Sequence, residues 1–189
     1  MRHHTLFTLL LILFTFTVSY AQSTYVIVHG AWGGAWQFKY TAEQLQQNGQ
    51  IVYRPTMTGL GERHHLYTNE VNLTTHITDV VNTILFENLN DVILVGHSYG
   101  GMVVTGVADS IPERIKKVIY LDAIVPDERQ SAVQALGMDE STAGNSFDVK
   151  DGVVVPAWVK DTTKTPRDVP HPIATFTQPL NYSAEKLSK

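Results

Sequence analysis

Four short apolar runs, rich in β-branched residues and separated by stretches of helical periodicity, predict an α/β chain with a doubly wound, mostly parallel sheet. Each run is too short and too evenly apolar for an amphipathic helix, which is the pattern of a strand buried on both faces. The polar and glycine-rich motifs fall just after these runs, where open parallel sheets bind their ligands.

Taken in order, the runs place strands at Tyr25–His29, Gln50–Arg54, Val92–Gly96 and Lys117–Asp122. A helix is expected over Trp36–Asn48, because Gly49 is a good residue just past a helix end. A second, over Thr74–Glu87, carries Ile77, Val80, Val81, Ile84 and Leu85 on one side, with Leu73 extending the stripe. A third follows Ser98 to Asp109, with Met102, Val103 and Val107 ahead of the stop at Pro112. Beyond Val125 the character changes. Residues 126–172 hold most of the eight prolines, scattered charges and one strand-like run, Gly152–Val155, and read as an irregular, lid-like insertion.

The first 21 residues combine a short basic start, an uncharged run from Leu6 to Val18 and a small residue at Ala21. That is the layout of a cleaved export signal, and the run falls short of the roughly 20 residues that span a bilayer. The expected organisation is therefore a signal peptide over 1–21, a sheet-bearing core over 22–126 and a lid or cap over 127–189. About 170 residues then remain, enough for one domain with a real core. No stable membrane anchor is expected once the signal is removed, and the product would be periplasmic or secreted.

Fourteen Lys and Arg stand against 18 Asp and Glu, with no basic run, so nucleic acid is an unfit partner. The absence of cysteine excludes disulfides, thiolate metal sites and a cysteine nucleophile. His64, His65 and His76 lack the spacing of a metal site, and Gly59-Leu60-Gly61 lacks the third glycine of a dinucleotide loop, so neither metal nor cofactor is expected. The sequons at Asn72 and Asn181 matter only in a glycosylating host.

Gly96-His97-Ser98-Tyr99-Gly100 fits G-x-S-x-G, with a strand before it and a helix after it, as that motif requires. Glycines two positions either side let the chain bend sharply and hold a serine hydroxyl exposed at a helix start. Ser98 is the candidate nucleophile. His29-Gly30-Ala31-Trp32-Gly33-Gly34 follows the first strand, and glycines there let the backbone approach a developing oxyanion. The N–H groups of Ala31 and of Tyr99 are the candidate oxyanion donors. Trp32, Trp158 and Phe176 are candidate walls of an apolar pocket, with core packing as the competing role.

The segments VIVHGAWGGAW, RPTMTGLGERHH, VGHSYGGMV, VIYLDAIVP and HPIATFTQPL together resemble the α/β-hydrolase superfamily, in the branch of small esterases related to plant methylesterases and hydroxynitrile lyases. The resemblance runs from about Tyr25 to the end of the chain. It implies a serine hydrolase that cleaves a small-molecule ester through an acyl-enzyme on Ser98. The lyases carry a threonine where this chain has Gly30, which favours ester hydrolysis over cyanohydrin cleavage. A non-catalytic binding protein or inactive fragment on the same scaffold is the remaining alternative.

A serine needs a base in reach, oriented in turn by an acid. After Ser98 the only histidine is His171, held between two prolines in the lid-like region and not after a last strand of the sheet, so it is a poor base. His97 should point away from the hydroxyl, and His29 should brace the oxyanion loop. Asp122, ending the fourth strand, is the acid candidate within the chain; the resemblance implies an acid after the next strand instead. The expectation is thus a chain that ends before the last strands, the acid and the base. The fourth strand would then present an apolar edge, and the chain would be weakly active or inactive.

Overall fold

A computed structural model describes residues 22–138, 147–183 and 185. The expected signal segment lies outside the described residues. The first strand, β1 (Thr24–Val28), leads through a 3₁₀ turn over Ala35–Phe38 into helix α1 (Lys39–Gln47) and strand β2 (Ile51–Tyr53). Helix α2 (Leu73–Phe86), strand β3 (Val92–Ser98), helix α3 (Gly100–Ser110) and strand β4 (Ile115–Ala123) complete the first unit. The sheet order is β2-β1-β3-β4, with every pair parallel, as the alternation predicts.

Burial explains the composition of the strands. In β1, Val26, Ile27 and Val28 are all buried, and in β3 both Leu94 and Val95 are, because the two central strands are covered on both faces. Among the described residues strand β4 is an edge: Ile119, Tyr120 and Leu121 are exposed, the last to 47%. Helix α3 is buried from Gly100 to Ala108 and packs against α2, β3 and β4, so its apolar residues run all round it. Helix α2 starts in a reciprocal cap: Asn72 accepts from the Thr75 N–H while Thr75 caps the Asn72 N–H. Asn72 of the first sequon is thus a capping residue.

The lid-like part is more regular than its prolines suggest. After the short helix α4 (Ala132–Ala135), strands β5 (Val149–Lys150), β6 (Val153–Val154) and β7 (His171–Pro172) form a three-stranded antiparallel sheet, followed by helix α5 (Ala174–Thr177). Asp151 and Gly152 turn the hairpin with φ of 49° and 78°, the left-handed pair that a tight two-residue turn requires. The expected lid-like insertion, irregular over much of 155–170, thus also contains a small sheet with a definite register. Among the described residues no helix is long and apolar enough to cross a membrane.

Candidate active site

Strand β3 hands over to α3 at Ser98, whose φ of 52° lies in the left-handed region that non-glycine residues avoid. Close packing holds the turn in that shape. A Cβ on Gly96 would meet the Gly100 carbonyl oxygen at 2.7 Å, one on Gly100 would meet the Val28 oxygen at 2.7 Å, and one on Gly101 would collide with the Ile124 carbonyl. The Ile124 N–H donates to the Ser98 carbonyl at 3.0 Å, tying the turn to the end of β4.

That end of β4 is itself irregular. His97 pairs with Leu121 and Ser98 with Ala123, so Asp122 is an extra residue in the register, with φ of 45°. The bulge turns Asp122 onto the wall of a cavity of about 420 Å³ that also holds Ala31, Trp32, Ser98, Tyr99 and Phe176. Ile124, Val125, Leu136 and Phe147 make the rest of that wall largely apolar. Asp122 is the one charged side chain among the described lining residues. The predicted residues Ser98, Asp122, Ala31, Tyr99, Trp32 and Phe176 are thus brought together. Trp158 does not line the cavity. It stands behind Trp32, ring edge to ring face at 5.0 Å, is 56% exposed, and donates its indole N–H to Asp168 at 2.7 Å. Trp36 lines a separate groove with Glu62, His64, Arg167 and Val169.

Four histidines surround the two backbone segments that carry Ala31 and Tyr99. The fully buried His29 donates from Nδ1 to the Gly30 carbonyl at 2.8 Å, and its Nε2 accepts the Met57 N–H at 3.2 Å. It braces the loop as the sequence suggests. His76 donates from Nε2 to the Thr58 carbonyl at 2.9 Å, so its neutral Nδ1 accepts the Tyr99 hydroxyl at 3.0 Å. Burial brings the pKa of both rings down to about 4, which keeps them neutral at ordinary pH. Burial likewise raises the Tyr99 phenol well above its usual value, so it is an un-ionised donor. His97 packs its ring against Phe38 and buries an Nδ1 with no partner.

His171 is the fourth, and its surroundings exclude it as a base for Ser98 in this arrangement. It is fully buried, its Nδ1 accepts the Trp32 N–H at 3.1 Å, and its Nε2 lies 2.6 Å from the Thr175 hydroxyl. Among the described residues no hydrogen bond joins Ser98 Oγ to a histidine. His76 and Thr175 were not picked out by sequence as parts of this surround; the only signal was an apolar stripe on α2 interrupted by a histidine. His64 and His65 lie exposed on a 3₁₀ turn after β2, apart from the buried His76. A Cβ on Gly30 would come within 3.0 Å of both His97 Nδ1 and the Ser98 Cβ, so this position is tight for any side chain.

The sequence and the fold both have relatives. The model of the alpha/beta hydrolase family matches residues 25–185. The chain is 51% identical over 115 residues to a carbendazim-hydrolysing esterase of Nocardioides sp., an alignment that covers 61% of this chain and 48% of that protein. It is 30% identical over 117 residues to methylesterase 3 of Arabidopsis thaliana, covering 56% and 41%. The chain spans about half the length, or less, of these curated relatives. An extracellular alpha/beta-hydrolase from a Paenibacillus species superposes with a TM-score of 0.74 at 26% identity, over 89% of this chain and 74% of that one.

Proposed function

We propose that this chain, which belongs to the alpha/beta hydrolase family, cleaves small neutral carboxylic esters with Ser98 as its nucleophile. The observation that carries the reading is the left-handed Ser98, held beside Ala31 and Tyr99 on the wall of one apolar cavity. Ser98 Oγ attacks the ester carbonyl, its proton passing to solvent water, since no histidine among the described residues bonds to it. The N–H groups of Ala31 and Tyr99 hold the negative charge that develops on the carbonyl oxygen. Collapse expels the alcohol, and water then releases the acyl group as the acid.

Trp32 and Phe176 supply apolar contact to the acyl or alcohol part. Asp122, the one carboxylate among the described lining residues, favours neutral over anionic esters and is the acid candidate. With no histidine bonded to Ser98 among the described residues, turnover by this chain is expected to be residual. The name of the Nocardioides relative, an esterase that hydrolyses carbendazim, and those of the plant methylesterases support a small ester as substrate. Gly30, with no side chain to offer a hydroxyl, speaks against cyanohydrin cleavage. The export layout of residues 1–21 and the extracellular Paenibacillus relative support a secreted or periplasmic location, with residues 22–126 as core and the segment from 127 as lid.

A fluorophosphonate probe tests this directly. Modification, slow without a bonded histidine, should map to Ser98, and Ser98→Ala should abolish that labelling. Labelling that is indifferent to that substitution would overturn the nucleophile assignment.

A further inference from the structure

Trp32 stands next to Ala31 in the loop after β1, and its backbone is bent into the left-handed region, with φ of 61°. A bulky residue keeps such a conformation only where its surroundings over-determine it. Here every polar group of the residue is taken, and each partner lies in the lid-like segment. The Trp32 N–H donates to His171 Nδ1 at 3.1 Å, its indole N–H donates to the Val154 carbonyl at 3.0 Å, and its own carbonyl accepts the Val169 N–H at 2.8 Å.

The state of His171 follows from its partners. A backbone N–H can only donate, so Nδ1 must be unprotonated, and the neutral ring then carries its proton on Nε2. That proton goes to Thr175 Oγ1 at 2.6 Å, and the threonine hydroxyl passes its own hydrogen to the Pro172 carbonyl at 2.8 Å. Thr175 is itself fully buried. Phe176 and Tyr99 close over the imidazole, with ring centroids at 4.4 and 4.9 Å, and shut it off from solvent. Nothing in this chain of donors and acceptors leaves a nitrogen for Ser98. What the ring does instead is fix the amide that follows Ala31.

We infer that His171 is a positioning residue: through its neutral Nδ1 the lid sets the orientation of the Trp32 amide and thereby aims the neighbouring Ala31 N–H at the oxyanion. This rests on the assignment of Ser98 and Ala31 proposed above. The lid is then part of the machinery that stabilises charge, as well as a cover over the cavity.

The test compares the 189-residue chain with His171→Phe, which keeps a ring but removes the acceptor, and His171→Asn, whose side-chain oxygen can take the Trp32 N–H. Nitrogen NMR of the unmodified chain should find one protonated and one bare ring nitrogen on His171, and the Trp32 amide should exchange slowly with solvent. In His171→Phe that protection should be lost. The maximal rate of Ser98 phosphonylation should fall by about ten- to a hundredfold, the size of effect expected for a misaligned oxyanion donor, with little change in the half-saturating probe concentration. His171→Asn should recover most of the rate, which a role in packing alone would not allow. If His171→Phe fails to fold, the tautomer and the Asn variant still decide: a protonated Nδ1, or an Asn variant as slow as one lacking Ser98, overturns the inference. Labelling of Ser98 that is indifferent to His171→Phe overturns it too and leaves the nucleophile assignment intact. Absence of labelling in the unmodified chain overturns the nucleophile assignment and the inference with it.

Discussion

Two turns line the cavity, and each bends a residue with a full side chain into left-handed backbone: Ser98 with φ of 52° and Trp32 with φ of 61°. They are held in that shape by different means. The Ser98 turn is supported by close packing, with Gly96 against the start of α3, Gly100 against the end of β1 and Gly101 against the residue after β4. The Trp32 turn is supported from afar, by His171 and Val154, which lie 139 and 122 residues further along the chain. Strain supported by packing within the core is built when β1, β3, α3 and the end of β4 come together. Strain supported by remote hydrogen bonds exists only when the lid is docked, so the second turn is the one that a change of conditions can loosen separately.

Acid is the strongest way to break that symmetry. His29 and His76 have pKa values lowered by burial from 6.5 to about 4. Each binds its proton more weakly in the folded than in the unfolded chain, so the stability it contributes is complete above pH 6.5 and is lost as the pH falls towards 4. The loss should reach roughly 3 kcal/mol per histidine, read from urea unfolding at a series of pH values. Amide exchange should rise first in the Trp32 loop and later in the Ser98 turn; the reverse order would reject the contrast drawn here.

Gly100→Ala strikes the other turn. Its methyl would stand 2.7 and 2.8 Å from the carbonyl oxygens of Val28 and His29, both backbone atoms of the central strand and its exit. Stability should drop by about 3 kcal/mol, with the loss spread through the sheet. A smaller and more selective change is Trp32→Phe, which removes the indole donor to the Val154 carbonyl. About 1–2 kcal/mol should be lost, with exchange increasing in β6 and β7 while the β3–α3 turn stays protected.

Much of this was readable from sequence because it depends on near neighbours. The four parallel strands follow from apolar runs, and the Ser98 turn from a motif confined to residues 96–101. Three features escaped for physical reasons. The lid sheet was masked by its prolines, although Asp151-Gly152 between two pairs of extended residues was a hairpin signal in plain view. The bulge at Asp122 is a matter of register with β3, which a single strand does not encode visibly. The work of His171 depends on a partner more than a hundred residues away, so its flanking prolines spoke only of a rigid loop.

The chain has three tryptophans, and all of them lie along the seam between the loop after β1 and the lid: Trp32 and Trp158 against each other, and Trp36 beside Arg167 and Val169. Indole fluorescence is therefore a local optical reporter. Its emission follows the separation of lid from loop, whereas far-ultraviolet circular dichroism follows the sheet. Heating that shifts the first signal at a lower temperature than the second would reveal the lid leaving before the core melts, without any label attached.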